Sequence, residues 1–170
     1  MNINGFEIER KFLIAMPDAA FLASAECSEI VQTYLLGEKG TTERVRQRVR
    51  NGQIEYTHTI KKKINSMRRL EEESVIDEKD YLTLLTSADP ERRPVHKKRY
   101  CHTESGSLWE IDVYPFWTDR AIMEVELTDE EQAITPPKAI RILREVTGDK
   151  RYTNASISRE IPKDENESET

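Results

Sequence analysis

The sequence predicts an α+β fold that is mainly β: about eight antiparallel strands with two or three helices packed against them. Three observations predict it. Short runs that alternate charged with apolar residues recur along most of the chain, the period-2 signature of strands with two unlike faces. Asn51-Gly52 joins two such runs, and Asn-Gly in that position is a strong short-range hairpin signal. Helix start and stop signals, by contrast, appear in few places.

In chain order, Phe6 to Ile14 reads as a strand, and Pro17 to Ile30 as a short helix with Phe21, Leu22, Ala25 and Ile30 at helical spacing. Val31 to Leu36 is apolar and β-prone, and Gly37-Glu38-Lys39-Gly40 is a turn. Arg44 to Arg50 and Gln53 to Lys62 form the hairpin, followed by a strand over Arg69 to Ile76. Asp77 caps a helix running to about Ser87. Arg93 to His102, Leu108 to Tyr114 and Arg120 to Leu127 are three further strands. Pro136-Pro137 then opens a helix that Gly148 closes, the usual Pro-in, Gly-out asymmetry. Residues 1–160 make one domain, and 161–170 an acidic tail expected to be disordered.

Composition narrows the function. Charged residues are 34% of the 170, against about 25% in ordinary globular chains, and no apolar run approaches the roughly 18 residues of a membrane span. The net charge of -6 argues against a generally basic nucleic-acid binder. Cys27 and Cys101 form no metal or redox spacing, and the N-terminus lacks a signal-peptide layout, so a reduced, cytoplasmic protein is expected. Gly37 to Thr42 lacks P-loop spacing, and the three histidines have no partner at metal spacing.

The charges are ordered by face. A two-residue turn at Asn51-Gly52 pairs residue 50 with 53 and 48 with 55, so Arg44, Arg46, Arg48 and Arg50 share a face with Glu55, Thr57, Thr59, Lys61 and Lys63. Glu7, Glu9 and Lys11 share one face of the first strand. Glu71 with Glu73, Lys97 with Arg99, Glu110 with Asp112, and Glu124 with Glu126 repeat the pattern, opposite apolar residues on several strands. A one-sided sheet in water would tolerate any polar residue there, yet these positions are nearly all full charges. Closing the sheet with the apolar face outward would give a charged lumen able to hold a polyanion and a divalent cation.

The run Glu7-Ile8-Glu9-Arg10-Lys11-Phe12 is an ExExK motif. It is followed in order by Arg48-Val49-Arg50, Thr59-Ile60-Lys61, Glu71-Glu72-Glu73, Lys97-Lys98-Arg99-Tyr100, Glu110-Ile111-Asp112-Val113, Glu124-Val125-Glu126 and Asp149-Lys150-Arg151-Tyr152. Over roughly residues 3 to 160 this resembles the CYTH, or triphosphate tunnel metalloenzyme, family, most of all its short bacterial members that hydrolyse inorganic tripolyphosphate. The resemblance implies a closed eight-stranded antiparallel β-barrel with a charged lumen and helices packed on the outside. It also implies hydrolysis of tripolyphosphate to pyrophosphate and phosphate with Mg²⁺ or Mn²⁺.

Carried over, the substrate-binding set is Lys11, Arg46, Arg48, Arg50, Lys61, Lys97, Arg99 and Lys150. Glu7, Glu9, Glu124 and Glu126 would hold metal; Glu71, Glu73, Glu110 and Asp112 would be catalytic, shared between metal coordination and water positioning. Four alternating arginines stand where the family needs two, and spacing to Lys61 favours Arg48 and Arg50. The partner expected is a small polyanionic substrate, with no nucleic acid and no membrane; a homodimer is left open. The competing readings are an enzyme on an organic triphosphate (adenylyl cyclase, thiamine or nucleoside triphosphatase) and a non-catalytic polyphosphate-binding module.

Overall fold

The computed structural model describes residues 6–163, so the N-terminus and the acidic tail from Asp164 onward lie outside the described residues. Nine strands form a single antiparallel sheet in the order β5-β4-β3-β2-β6-β7-β8-β1-β9. They span Phe6–Ala15 (β1), Glu26–Tyr34 (β2), Thr41–Arg50 (β3), Gln53–Lys63 (β4), Arg68–Ile76 (β5), Val95–Glu104 (β6), Ser107–Val113 (β7), Arg120–Glu126 (β8) and Ile142–Glu145 (β9). β1 closes the barrel. One of its edges pairs with β8 over Glu9 to Ala15, and Phe6 to Ile8 pair with β5. Eight strands therefore close on themselves, and β9 continues the β5 side of β1 by pairing with Phe12 to Ile14.

The hairpin register is the expected one: Arg50 pairs with Gln53, Arg48 with Glu55 and Arg44 with Thr59. Asn51 and Gly52 both take positive φ, 51° and 74°, as a two-residue turn between right-twisted strands requires. Two expected helices are corrected. Within Pro17 to Ile30 only α1, Ala19–Ser24, is helical, with Asp18 accepting a hydrogen bond from the Phe21 amide; the chain then turns into β2. The segment 26–34 is extended because β3 and β6 both pair with it, and a strand held on two sides overrides a weak helical spacing. Between Pro136 and Gly148 there is no α-helix; a turn near Pro137 leads into β9, which covers an edge of β1 that β5 does not reach. The helix after Asp77 forms as expected: α2, Glu78–Leu85, with Asp77 accepting from the Asp80 amide.

The apolar faces point outward and are covered. Ile8, Phe12 and Ile14 of β1 join Trp109, Ile111, Met123 and Val125 in a cluster that Phe21 of α1, Ile134 and Ile140 pack against. Tyr81 of α2 closes a second outer cluster over Leu35 and Val45. A third cluster lies at one barrel end, where Leu13, Tyr34, Val95, Tyr114 and Ile122 meet Tyr152 and Ile157. Ile157 is on α3, Asn154–Ile157, which follows a single 3₁₀ turn at Lys150–Tyr152. Among the described residues no helix is long and apolar enough to cross a membrane.

Candidate active site in the barrel lumen

Inward residues of the strands line a cavity of about 680 Å³. Its carboxylates come from β1 (Glu7, Glu9), β5 (Glu71, Glu73), β7 (Glu110) and β8 (Glu124, Glu126). Its cations come from Lys11, from Arg44, Arg46 and Arg48 in a row on β3, from Lys61, Lys63, Arg69 and Arg99, and from Lys150 within the segment 146–156. The pairing of strands explains who meets whom. Lys11 is opposite Glu124, Glu9 opposite Glu126, Lys61 opposite Glu71, and Glu110 opposite Glu124.

Four of these nine cations are paired with carboxylates. Lys61 Nζ is 2.9 Å from Glu7 Oε2 and 3.9 Å from Glu71 Oε1. Arg69 Nη1 donates to Glu9 Oε1 at 2.6 Å. Lys11 Nζ is 3.2 Å from Glu124 Oε1 and donates to the Tyr152 carbonyl at 3.3 Å. Arg99 Nη1 is 2.7 Å from Glu110 Oε2. Among the described residues, Arg44, Arg46 and Arg48 make no such ion pair. Arg46 and Arg48 are held by neutral groups of β2 instead: Gln32 Oε1 accepts from Arg46 Nε (3.2 Å) and Nη2 (2.8 Å), and Ser28 Oγ accepts from Arg48 Nε at 2.9 Å. Arg44 Nε, buried, has no partner among the described residues. The lumen is thus segregated, with uncompensated guanidinium groups on β3 and carboxylates crowding β1, β5 and β8.

Titration follows from that crowding. Burial, with the Glu124 and Glu7 carboxylates adding to it, pushes Glu9 up to about 7 against the pull of Lys11. Burial also pushes Glu124 up, but Lys11, Arg99 and Lys97 together outweigh it and hold the carboxyl down at about 2. Burial and the neighbouring Glu7 and Glu73 raise Glu71, while Lys61 opposes them. Burial, then Arg44 and Arg99, lowers Arg46 to about 9, which leaves it charged at neutral pH.

Of the residues singled out from sequence, Glu7, Glu9, Lys11, Arg46, Arg48, Lys61, Glu71, Glu73, Arg99, Glu110, Glu124, Glu126 and Lys150 all reach this one cavity. Three do not line it. Arg50 is exposed at the hairpin end, with its Nη1 donating to Glu26 Oε1 at 2.6 Å. Lys97 and Asp112 sit behind the wall: Asp112, 1% exposed, accepts from Lys97 Nζ at 2.6 Å and from Arg99 Nε and Nη2 at 2.8 and 2.9 Å. Asp112 therefore anchors Arg99. Sequence reasoning missed Arg69, although it is in phase with Glu71 and Glu73. It missed Ser28, which falls in the segment read as helix, and Gln32, an uncharged residue in the β-prone run 31–36.

The charged donors on the inward faces of β1, β5, β7 and β8 that could hold a cation are carboxylate oxygens, the chemistry a hard divalent ion prefers. No three acidic, His or Cys side chains converge into a finished ligand shell among the described residues. The carboxylates are turned to Lys61, Arg69 and Lys11 instead.

No protein-family model matches the chain. It is 35% identical over 161 residues to a protein of Nitrosomonas europaea named inorganic triphosphatase, covering 92% of this chain and 99% of that one. The chain belongs to the CYTH-like triphosphatase family. A second protein so named, from Acetivibrio thermocellus, is 30% identical, with 90% of this chain and 93% of that one covered. A solved structure described as an inorganic triphosphatase superposes with a TM-score of 0.57 at 33% identity, over 92% of this chain and 97% of that one. A Pyrococcus horikoshii protein structure shares the fold, with TM-score 0.55 at 21% identity over 74% of this chain and 80% of that one. The family barrel is thus present here in full, with its ExExK strand, β1, as the strand that closes it.

Proposed function

We propose that this chain hydrolyses inorganic tripolyphosphate to pyrophosphate and phosphate inside the barrel, with Mg²⁺ or Mn²⁺ as cofactor. The observation that carries this is the row Arg44, Arg46 and Arg48, which has no carboxylate partner among the described residues and faces a lumen lined elsewhere by carboxylates. A cation left unpaired beside so many acids is best explained by an anion that arrives later.

In this reading the β3 arginines grip successive phosphoryl oxygens, and Arg99 and Lys61 reach the substrate from β6 and β4. Glu7, Glu9, Glu124 and Glu126 are the residues that would hold the cation, which when bound would neutralise charge on the phosphoryl oxygens. Phosphoryl transfer needs mainly positioning and charge neutralisation, so no nucleophilic side chain is required. Glu71 is the suited base: burial, Glu7 and Glu73 raise its carboxyl, which favours accepting a proton from water. Water oxygen bonds to the terminal phosphorus, the bridging P–O bond breaks toward pyrophosphate, and the proton passes to the Glu71 carboxylate. Thr59 Oγ1 donates to Glu73 Oε1 at 3.0 Å and fixes that neighbour.

The test is phosphate release from tripolyphosphate with and without excess chelator. Chelation is expected to abolish turnover and added Mg²⁺ or Mn²⁺ to restore it, with Ca²⁺ a poor substitute because of its looser geometry. Full activity in excess chelator would remove the metal from the reading; no phosphate release under any metal would remove the substrate.

A further inference from the structure

From Ser28 onward the inward face of β2 carries no charge: Ser28, Ile30, Gln32 and Tyr34 stand between the arginines of β3 and the Lys97–Arg99 pair of β6. Gln32 is completely buried there. Its Oε1 accepts from both Arg46 Nε and Nη2, while its own Nε2 donates to Tyr34 Oη at 3.3 Å. Arg46 Nη1 makes no hydrogen bond among the described residues, and Arg46 itself lines the cavity. Lys11, Lys61, Arg69 and Arg99 are held by carboxylates, which fix each group but cancel much of its field. An amide oxygen fixes the same fork without cancelling anything.

We infer that Gln32 is a positioning residue for the substrate-binding arginine: a charge-neutral clamp that aims the Arg46 guanidinium into the lumen with its full positive charge available to a polyphosphate chain. This rests on the tripolyphosphate reading above. The isosteric variant Gln32→Glu separates aim from charge. Its carboxylate can accept the same two Arg46 donors, and the Tyr34 hydroxyl can rotate to donate to it. Geometry is kept, Arg46 gains a counter-ion, and only the free charge is lost. Gln32→Ala does the converse, leaving the charge and releasing the aim.

Binding of tripolyphosphate to metal-free protein by calorimetry, with thermal unfolding alongside, tests this on the wild type and both variants. Gln32→Glu is expected to weaken binding at least about tenfold, the effect of losing most of one charge-assisted contact, with a Tm at or above the wild type. Gln32→Ala is expected to weaken binding less than Gln32→Glu and to lower Tm. A Gln32→Glu protein that binds within about threefold of wild type, or that unfolds below it, overturns the inference, as does Gln32→Ala binding more weakly than Gln32→Glu. A wild-type protein that neither binds nor cleaves tripolyphosphate fails the functional reading itself, a separate result.

Discussion

Asp112 shows how one residue can be required without touching the cavity. Burial alone would raise its carboxyl, but Arg99 and Lys97 hold it far below the ordinary carboxylate range. Lys97 in turn is lowered to about 7 by burial, with Arg99 and Arg46 alongside, and the 2.6 Å contact to Asp112 is what keeps its proton. Removing one partner of a buried pair costs about 3–5 kcal/mol, because the other charge is left uncompensated. Asp112→Asn is therefore expected to lower Tm by roughly 10 °C at pH 7, taking about 2–4 °C per kcal/mol for a chain of this size. The pH dependence has a definite sign. A carboxyl depressed in the folded state contributes stability that is fully present above its unfolded value of about 3.9 and is lost as pH falls through the folded value. The gap between wild type and Asp112→Asn should shrink as pH falls below about 4, where the unfolded carboxyl takes up its proton. Thermal unfolding from about pH 7 to 2 checks it; a gap that does not shrink below about pH 4 would show that Asp112 is not the ionised anchor.

Among the elements, the β3–β4 hairpin does most to build the site. Because side chains alternate with period 2, a slip of one residue would carry Arg44, Arg46 and Arg48 to the outer face, where Val45 now packs under α2. The turn holds the register through two left-handed residues, and nothing approaches the position of a Cβ on Gly52, so the cost of a side chain there is backbone strain alone. Gly52→Ala should lose about 1–2 kcal/mol, or roughly 2–8 °C in Tm, while kcat/KM on tripolyphosphate stays within about twofold. Loss of activity in a protein that remains folded would mean the turn sits closer to the chemistry than the register suggests. β2 and β9 teach the converse. Phe21, Leu22, Ala25 and Ile30 do have helical spacing, but Ile30, Val31 and Thr33 are β-branched residues flanked by two strands in need of a partner.

At the scale of the whole molecule, a closed barrel makes the lumen a ruler for charge. A ligand made only of phosphate would meet the β3 arginines, and any cation held by the carboxylates of β1 and β8, along its whole length. An adenosine group would replace one terminal oxygen charge and contribute little among charged walls. Each lost charge-assisted contact costs on the order of 1.5–3 kcal/mol, about one to two decades in rate. Tripolyphosphate should therefore exceed ATP by at least about tenfold in kcat/KM, with pyrophosphate poorer than tripolyphosphate because it is one phosphoryl unit shorter. One protein preparation, the same Mg²⁺ excess and a phosphate-release assay decide it. Preference for ATP, or formation of a cyclic nucleotide, would point to an organic triphosphate instead.

The sequence by itself determined the alternation of charge and apolar side chains, the hairpin register at Asn51-Gly52, and hence which residues share a face. Those depend on local geometry, a period of two along the strand and a turn that only certain residues can make. Thirteen of the residues singled out on that basis meet in one cavity. What tertiary structure alone decided is how far along the barrel each lies and what stands beside it. Arg50 is one repeat beyond Arg48 yet does not line the lumen, and Lys97 and Asp112 are buried against each other and Arg99 without lining it. The neutral clamp of Gln32 on Arg46 joins residues 14 apart across two strands, and the closure of β1 onto β5 joins residues about 60 apart. Such contacts are set by strand stagger and barrel closure, which arise from the packing of the whole sheet rather than from any short stretch of chain.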